Sequence, residues 1–408
     1  MFMKPFRGFR PAAHLSSQVA SPPYDVINVE EARALAKDND HSFLHVIKPE
    51  INFEPDGVPE RAGLIEKARA RLDAMCGEGL FQRDEQPAYY LYRQTWQGRS
   101  QTGLVGLAAV DDYDNDRIKK HEHTRQDKED ERTAHVHGTR AHTGPVFLAY
   151  RGASVIAELS ERITQRPPDV DVEFQDVQHT LWLVSDEASC ETMTQAVGSI
   201  EAFFVADGHH RTASASRNRA LCKEANPNHQ GDEDYNYFLT VIFPSEELDI
   251  LPYHRVIKDL GGLSSAQIKE RLGECFDHIS DDAQPSEKMS IGVYMDGQWS
   301  QYRLKSHLLS ADDPVASLDV AAVQTHVLEN IFSINDPRTD KRIDFVGGIR
   351  GLPHLEQLVD SGQYAVAISM YPTHIDELFA VADAGEVMPP KSTWFEPKLL
   401  SGLVVNRF

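Results

Sequence analysis

Five residues with chemistry in their side chains or backbone stand in a row: Asp207, Gly208, His209, His210 and Arg211. Phe203-Phe204-Val205-Ala206 precedes them and has the character of a short buried strand. Asp-Gly breaks that strand, and the pattern from His210 through Ala225 is helical. An acid, a glycine, two imidazoles and a guanidinium are thus predicted where a strand ends and a helix begins. The first N–H groups of a helix have no partner inside it, and the helix dipole favours negative charge there. Glycine admits close approach to the backbone, and arginine grips a phosphate through two parallel bonds. The pattern predicts an oxyanion or phosphate site with a carboxylate and an imidazole beside it.

Other clusters carry related chemistry. Asp25 follows Pro22-Pro23-Tyr24, a rigid turn suited to holding a fixed carboxylate. His254-Arg255 repeats the His-Arg pairing after a strand. Lys391-Ser392-Thr393 follows Pro389-Pro390, where a lysine and two hydroxyls can hold a phosphate without a glycine-rich loop. The stretch Asp111–Thr143 is polar and rich in histidine: His121, His123, His135, His137 and His142, with Glu122 among them. It is too long for an inert loop. It admits a metal site, a solvated acid–base loop, or a basic lid built from Lys119, Lys120, Arg125, Lys128 and Arg132. Its spacing fits no established zinc pattern, and His135 and His137 point to different sides if the segment is helical. Gly-x-x-x-x-Gly-Lys-Ser/Thr, Gly-x-Ser-x-Gly and His-Arg-Asp are all missing from the sequence.

The elements that must hold these groups follow from periodicity and punctuation. Helices are expected at Val29–Lys37, capped by Asn28 with Glu31, and at Glu60–Met75, Ser154–Arg166, Glu187–Ile200, Ser265–Leu272, Val315–Ile331 and Ile375–Ala384. Strands are expected at Tyr89–Arg93, Leu104–Val110, Val146–Tyr150, Asp171–Phe174, His179–Val184, Tyr237–Phe243, Asp249–Val256 and Tyr364–Ser369. A hairpin crosses Asp296-Gly297. Strands and helices interleave without strict βαβ repetition, which predicts an α+β fold of mixed sheets and helices. The expected division is an N-terminal α+β domain over 1–150, a phosphate-binding domain over 151–260 and a C-terminal α+β domain over 261–408.

Composition sets bounds on function. The 408 residues are 41% hydrophobic, ordinary for a globular protein able to bury more than one core. No apolar run reaches the roughly 18 residues of a membrane span, and the start lacks a signal-peptide core. The four cysteines are scattered without Cys-x-x-Cys, which suits a reducing cytoplasm. A net charge of −22 disfavours nucleic acid as partner, since that needs clustered Lys and Arg.

Six motifs together resemble the bacterial domain of unknown function 1015 family. They are Pro5-Phe6-Arg7-Gly8-x-Arg10-Pro11, Pro22-Pro23-Tyr24-Asp25-Val26, Ser42-Phe43-Leu44-His45-Val46, His121-Glu122-x-Thr124, Asp207-Gly208-His209-His210-Arg211 and Pro390-Lys391-Ser392-Thr393-Trp394-Phe395. The fifth is also similar to the turn of the ParB/sulfiredoxin-like superfamily, archaeal free serine kinases included, in which Gly-x-x-Arg holds nucleotide phosphates. That resemblance implies a ParB-like nucleotide- and phosphate-binding element and a phosphotransferase using ADP or ATP with Mg²⁺. The implied substrate is a small molecule, L-serine or O-phosphoserine. Gly208 and Arg211 would bind phosphate, helped by His254, Arg255, Lys391, Ser392 and Thr393. Asp207 would bind Mg²⁺ or orient the hydroxyl. His209 or His210 would contact phosphate or exchange a proton, with Asp25 or Glu122 as the further carboxylate. A metal-assisted phosphoester hydrolase, such as a phosphoserine phosphatase, and a nucleotide-binding regulatory protein are the alternatives. The acceptor, the donor, the direction and the oligomeric state, a homodimer included, stay open.

Overall fold

The computed structural model of the chain describes residues 2–152, 154–310 and 312–408. It is a mixed α+β protein whose contacts divide it into two units. The first comprises Met1–Lys119, Thr124–Leu248 and Pro397–Phe408; the second comprises Lys120–His123 and Asp249–Glu396. This differs from three consecutive segments. A cut after residue 150 would part Val146–Tyr150 from Phe203–Asp207 and Tyr237–Pro244, its neighbours in the first unit's main sheet.

That sheet has nine strands, in the order Ile118–Lys119, Phe203–Asp207, Val146–Tyr150, Tyr237–Pro244, Arg99–Ala109, Tyr89–Trp96, Val177–Val184 and Val170–Phe174, with Met3–Lys4 also pairing to Arg99–Ala109. The Tyr89–Trp96 and Arg99–Ala109 strands form a hairpin through Gln97 (φ 48) and Gly98 (φ 78). Val146–Tyr150 runs parallel to Tyr237–Pro244 and antiparallel to Phe203–Asp207, so the sheet is mixed. Its core joins Tyr89, Leu91, Leu104, Leu148, Phe203, Val205 and Ile242 to Leu159, Met193 and Val197 from the helices Ser154–Ile163 and Glu187–Gly198.

A further core gathers Val19, Phe43, Leu44, Val46, Leu72, Met75 and Phe81 with Ala141 and Val405. The chain's last residues therefore close a core begun by its first. Ser21 and Ser401 exchange backbone hydrogen bonds at 3.1 and 2.8 Å, and Asn406–Arg407 pairs with Ala141–His142. The helices Val29–Leu35, with its Asn28–Glu31 capping box, and Arg61–Gly77 lie near their expected positions. The polar stretch after Asp111 is ordered: it contains the helix Gln126–Thr139, which packs between Arg61–Gly77 and His209–Ala225.

The second unit is built on an antiparallel six-stranded sheet, ordered Phe276–Ser280, Gln298–Leu304, Ser290–Met295, Val366–Met370, Tyr253–Ile257 and Ile343–Gly347. The single strand expected over Asp249–Val256 is two. Pro252 has no N–H to give a ladder, so Asp249–Leu251 pairs with Trp394–Glu396 while Tyr253–Ile257 enters the large sheet. The helix expected over Val315–Ile331 is an α-helical Asp319–Val323 that widens into a π-helical Gln324–Glu329. Among the described residues, no helix is long and apolar enough to cross a membrane.

Candidate functional site

The corner at Asp207 is shaped by three local features. Phe203–Ala206 is buried and anchors the strand. The register to Val146–Tyr150 shifts between Val205 and Asp207, a bulge that re-aims the last side chain of the strand. Gly208 then takes φ 101, ψ 29 and begins the 17-residue helix His209–Ala225 without a side-chain cap. The Asp-Gly break is thus a left-handed turn at the N-terminus of a long helix, the arrangement that suits an anion.

Gly208 is required twice over. A side chain is strained at this φ, and a Cβ here would lie 3.0 Å from Arg211 Nε and 3.1 Å from its Cζ. Gly208→Ala is expected to cost roughly 1–3 kcal/mol of stability. It should also weaken phosphate or nucleotide binding by about tenfold or more, as the guanidinium is displaced. Denaturant titration and ADP titration of the variant check both effects; unchanged values in both would show that the turn does not constrain Arg211.

Charge is concentrated at the corner. Asp207 Oδ2 accepts from Arg211 at 2.5 Å, and Asp207 Oδ1 lies 3.5 Å from Lys398 Nζ. Burial alone would push the Asp207 carboxyl up, but Lys398, Arg211 and His209 hold it well below the usual carboxylate range. It is an anion with two cations on it. The Arg211 side chain is 11% exposed. It also donates to the Pro145 carbonyl, and its Nε has no hydrogen-bond partner among the described residues. Burial would lower its pKa, yet Asp207, Asp25 and Tyr24 raise it, so its charge is secure.

Asp25 is exposed on the turn after Pro22-Pro23, which Lys48 pins by donating to the Tyr24 carbonyl at 2.8 Å. Burial, then Asp25, pushes the Tyr24 phenol far above its ordinary value, and Arg132 lies over its ring at 3.9 Å. His209 is buried at the helix start, while His210 Nε2 accepts from the Arg125 N–H at 3.1 Å. Asp25, Asp207, Gly208, His209, His210 and Arg211 thus belong to one unit. Lys398, Tyr24 and Arg132 join them; the sequence offered Arg132 only as part of a basic lid and Tyr24 only as part of the turn, and gave Lys398 no role. Lys398 closes the same Pro-Pro-Lys-Ser-Thr stretch, seven positions beyond the lysine expected there.

Other expected residues have different surroundings. Glu122 is half-buried and belongs to the second unit. In that unit His254 Nδ1 accepts the Met370 N–H at 3.1 Å, and burial pushes the imidazole down to about 4. Arg255 donates to the carbonyls of Tyr253 and Lys391, and burial lowers it to about 10. Ser392 Oγ donates to the Pro389 carbonyl at 2.6 Å, Thr393 Oγ1 lies 3.3 Å from His121 Nε2, and Lys391 (φ 60) sits 5.6 Å over the Tyr253 ring. These contacts knit the loop together. Any site made with the first unit is an expectation from sequence.

Two histidines of the polar stretch are core residues rather than parts of a solvated loop or a metal site. His135 Nε2 donates to the Val46 carbonyl at 3.0 Å, and His142 is buried against Asn406. Burial pushes both down to about 3, so both are neutral. His137, on another side of the helix, meets Asn218 at 3.1 Å. The fit of a divalent cation at Asp207 is also poor: both carboxylate oxygens already face a cation, and a third positive charge would be repelled.

The family model described as "Protein of unknown function (DUF1015)" matches residues 3–321. No curated protein matches the sequence. Among solved structures, a point mutant of free serine kinase in complex with AMP is similar at 14% identity and TM-score 0.36, covering 71% of this chain and 87% of that one. Another mutant of free serine kinase, in complex with ADP, gives 14% and 0.35, covering 71% and 86%. SbnI from Staphylococcus aureus with a C-terminal truncation gives 14% and 0.39, covering 73% and 85%. At these scores the likeness decides nothing about activity.

Proposed function

The chain belongs to the DUF1015 family of proteins of unknown function, and from that premise we propose that it is a nucleotide-dependent phosphotransferase acting on a small-molecule hydroxyl, free L-serine being the foremost acceptor. One observation carries the reading: Gly208 opens a long uncapped helix directly over a buried Arg211 that is itself held by an ionised Asp207. A helix N-terminus and a fixed guanidinium are complementary to phosphate oxygens. Lys398 adds a second cation within the same unit.

In this reading the helix N–H groups and Arg211 bind the transferring phosphate, and Arg211 with Lys398 neutralises charge that builds on it. The acceptor hydroxyl oxygen forms a bond to the terminal phosphorus as the bond to the nucleotide oxygen breaks. The hydroxyl proton passes to Asp25 on its pinned turn. Asp207 orients Arg211 and Lys398, and His210 contacts the phosphate. Mg²⁺ enters with the nucleotide, and no step is assigned to it here.

The test follows phosphorus by NMR in purified protein with Mg²⁺ and ADP, ATP or pyrophosphate, against a panel of amino acids and in both directions. Nucleotide-dependent phosphorylation of one hydroxyl amino acid, or the reverse reaction, is the expected result. Hydrolysis of phosphoserine without nucleotide would replace the reading with a phosphatase. Tight nucleotide binding with no turnover would replace it with a regulatory switch.

A further inference from the structure

A small cavity in the first unit lies beside the candidate phosphate site, with Arg211 in its wall. Arg132, His142 and Tyr24 also line it. Arg132 is 8% exposed and His142 6%. Arg132 Nε, Arg211 Nε and His142 Nε2 are each buried with no hydrogen-bond partner among the described residues. All three are donors. An arginine Nε always carries its hydrogen. Asn406 Nδ2 donates to His142 Nδ1 at 3.3 Å, which leaves the proton of the neutral ring on Nε2. A buried N–H without an acceptor is costly, and three such groups on residues that line one cavity call for a group that only accepts.

The identity of that group follows from charge and size. Two of the donors are cationic, so an anion is favoured over a carbonyl. Glu131 neutralises Arg132 from its outer edge at 2.7 Å, and Asp207 takes a terminal nitrogen of Arg211, so each Nε remains for something else. The cavity holds about 30 Å³, room for about two water-sized atoms. Two oxygens match a carboxylate; a phosphate brings four. The flat face of Arg132 is fixed against the Tyr24 ring, and a rigid guanidinium suits planar carboxylate recognition.

We propose that this cavity is the acceptor subsite, and that it takes the carboxylate of a small hydroxy or amino acid. The inference rests on the phosphotransferase reading for the word acceptor, whereas carboxylate binding stands or falls by itself. Arg211 lines this cavity and also belongs to the phosphate corner, so an acid docked here by its carboxylate has the phosphate site beside it. The cavity also selects acids over amides and alcohols, because a charged carboxylate accepts stronger hydrogen bonds from the two guanidinium Nε–H groups than a neutral oxygen does.

The test uses the full-length protein labelled with ¹⁵N-arginine, with the Nε–H signals assigned by loss in Arg132→Lys and Arg211→Lys. Acetate, glycolate, L-serine and L-serinamide are titrated at constant ionic strength, with and without ADP. Acids are expected to shift the Arg132 and Arg211 Nε–H signals together, with L-serinamide binding at least about tenfold more weakly than L-serine. Arg132→Lys keeps the charge but loses the Nε–H, and should weaken L-serine by about tenfold or more while ADP affinity is unchanged. Equal affinity for acid and amide, or wild-type affinity for L-serine in a folded Arg132→Lys protein, would overturn the subsite. So would the absence of any response to every acid, which would leave the cavity to water. Failure of ADP to bind while acids still bind through Arg132 would instead remove the phosphotransferase reading and keep the carboxylate site. A thermal melt of each variant separates loss of binding from loss of fold, and His142→Gln provides a second variant in the cavity lining.

Discussion

Arg211→Lys is expected to cost roughly 2–3 kcal/mol of transition-state stabilisation, or about 30- to 160-fold in kcat/KM. Lysine keeps one positive charge but loses the planar fork that here spans Asp207, the Pro145 carbonyl and the open Nε. A flexible ammonium can serve Asp207 or a phosphate, but cannot present three donors at fixed angles. The loss should fall on kcat and kcat/KM together if Arg211 acts on the developing charge, and on KM alone if it merely anchors the nucleotide. Lys398→Met isolates the other cation: Asp207 keeps Arg211, so the corner should stay folded with a smaller loss. Near wild-type kcat/KM in a folded Arg211→Lys protein would end the assignment of the corner as a phosphate site.

The corner was legible because its signals are local. Phe203–Ala206 followed by Asp-Gly predicts a strand end, and the helix after it needs only the composition of residues 209–225. Asn28 with Glu31 and Asp296 with Gly297 are local in the same way; the latter pair adopts φ 55 and 75 at the hairpin turn. Lys398 was not legible as the partner of Asp207, since nearly two hundred residues separate them and only the return of the chain's end through Gln94, Tyr92 and Ser21 brings it there. The bulge before Asp207 depends on the register to Val146–Tyr150, which no pattern within 203–207 encodes. Histidine is the hardest residue type to place. His135 and His142 have the composition of a polar, metal-competent loop, but a neutral imidazole with one hydrogen bond is an acceptable core residue. His254, expected to bind phosphate, likewise uses one ring nitrogen to accept a strand N–H.

Those buried imidazoles make the first unit acid-labile. Burial holds His135, His142 and His179 down to about 3, against about 6.5 in an unfolded chain. Each therefore contributes its full stability above pH 6.5. Below that, the unfolded state binds protons that the folded state refuses, and stability falls as pH drops toward the folded pKa. At pH 5 the loss is about 2 kcal/mol per histidine, or about 6 kcal/mol for three, comparable to the whole stability of many domains. The Val46 carbonyl and Glu131 favour the charged His135 ring, but burial outweighs them. His135 also faces the Arg132 charge, and His179 Nδ1 is already hydrogen-bonded to the Tyr92 hydroxyl at 2.7 Å, whose oxygen receives the Leu400 N–H. Asp207 does not enter this window, because its depressed pKa removes stability only as pH falls below the ordinary carboxylate range. The second unit behaves differently. His254, at about 4, destabilises it in acid, but burial raises the Asp319 carboxyl to about 7, so that folding there takes up a proton and is favoured as pH falls below 7. The two slopes oppose. Hydrogen exchange at pH 8, 6.5 and 5 should therefore show the nine-stranded sheet losing protection first, with the six-stranded sheet changing little. His142→Gln should reduce the pH dependence of the first unit by about a third, one titrating group of three, even if the variant is less stable throughout. Equal protection of the nine-stranded sheet at pH 8 and pH 5 would mean that the three rings titrate normally and are not sealed in the core.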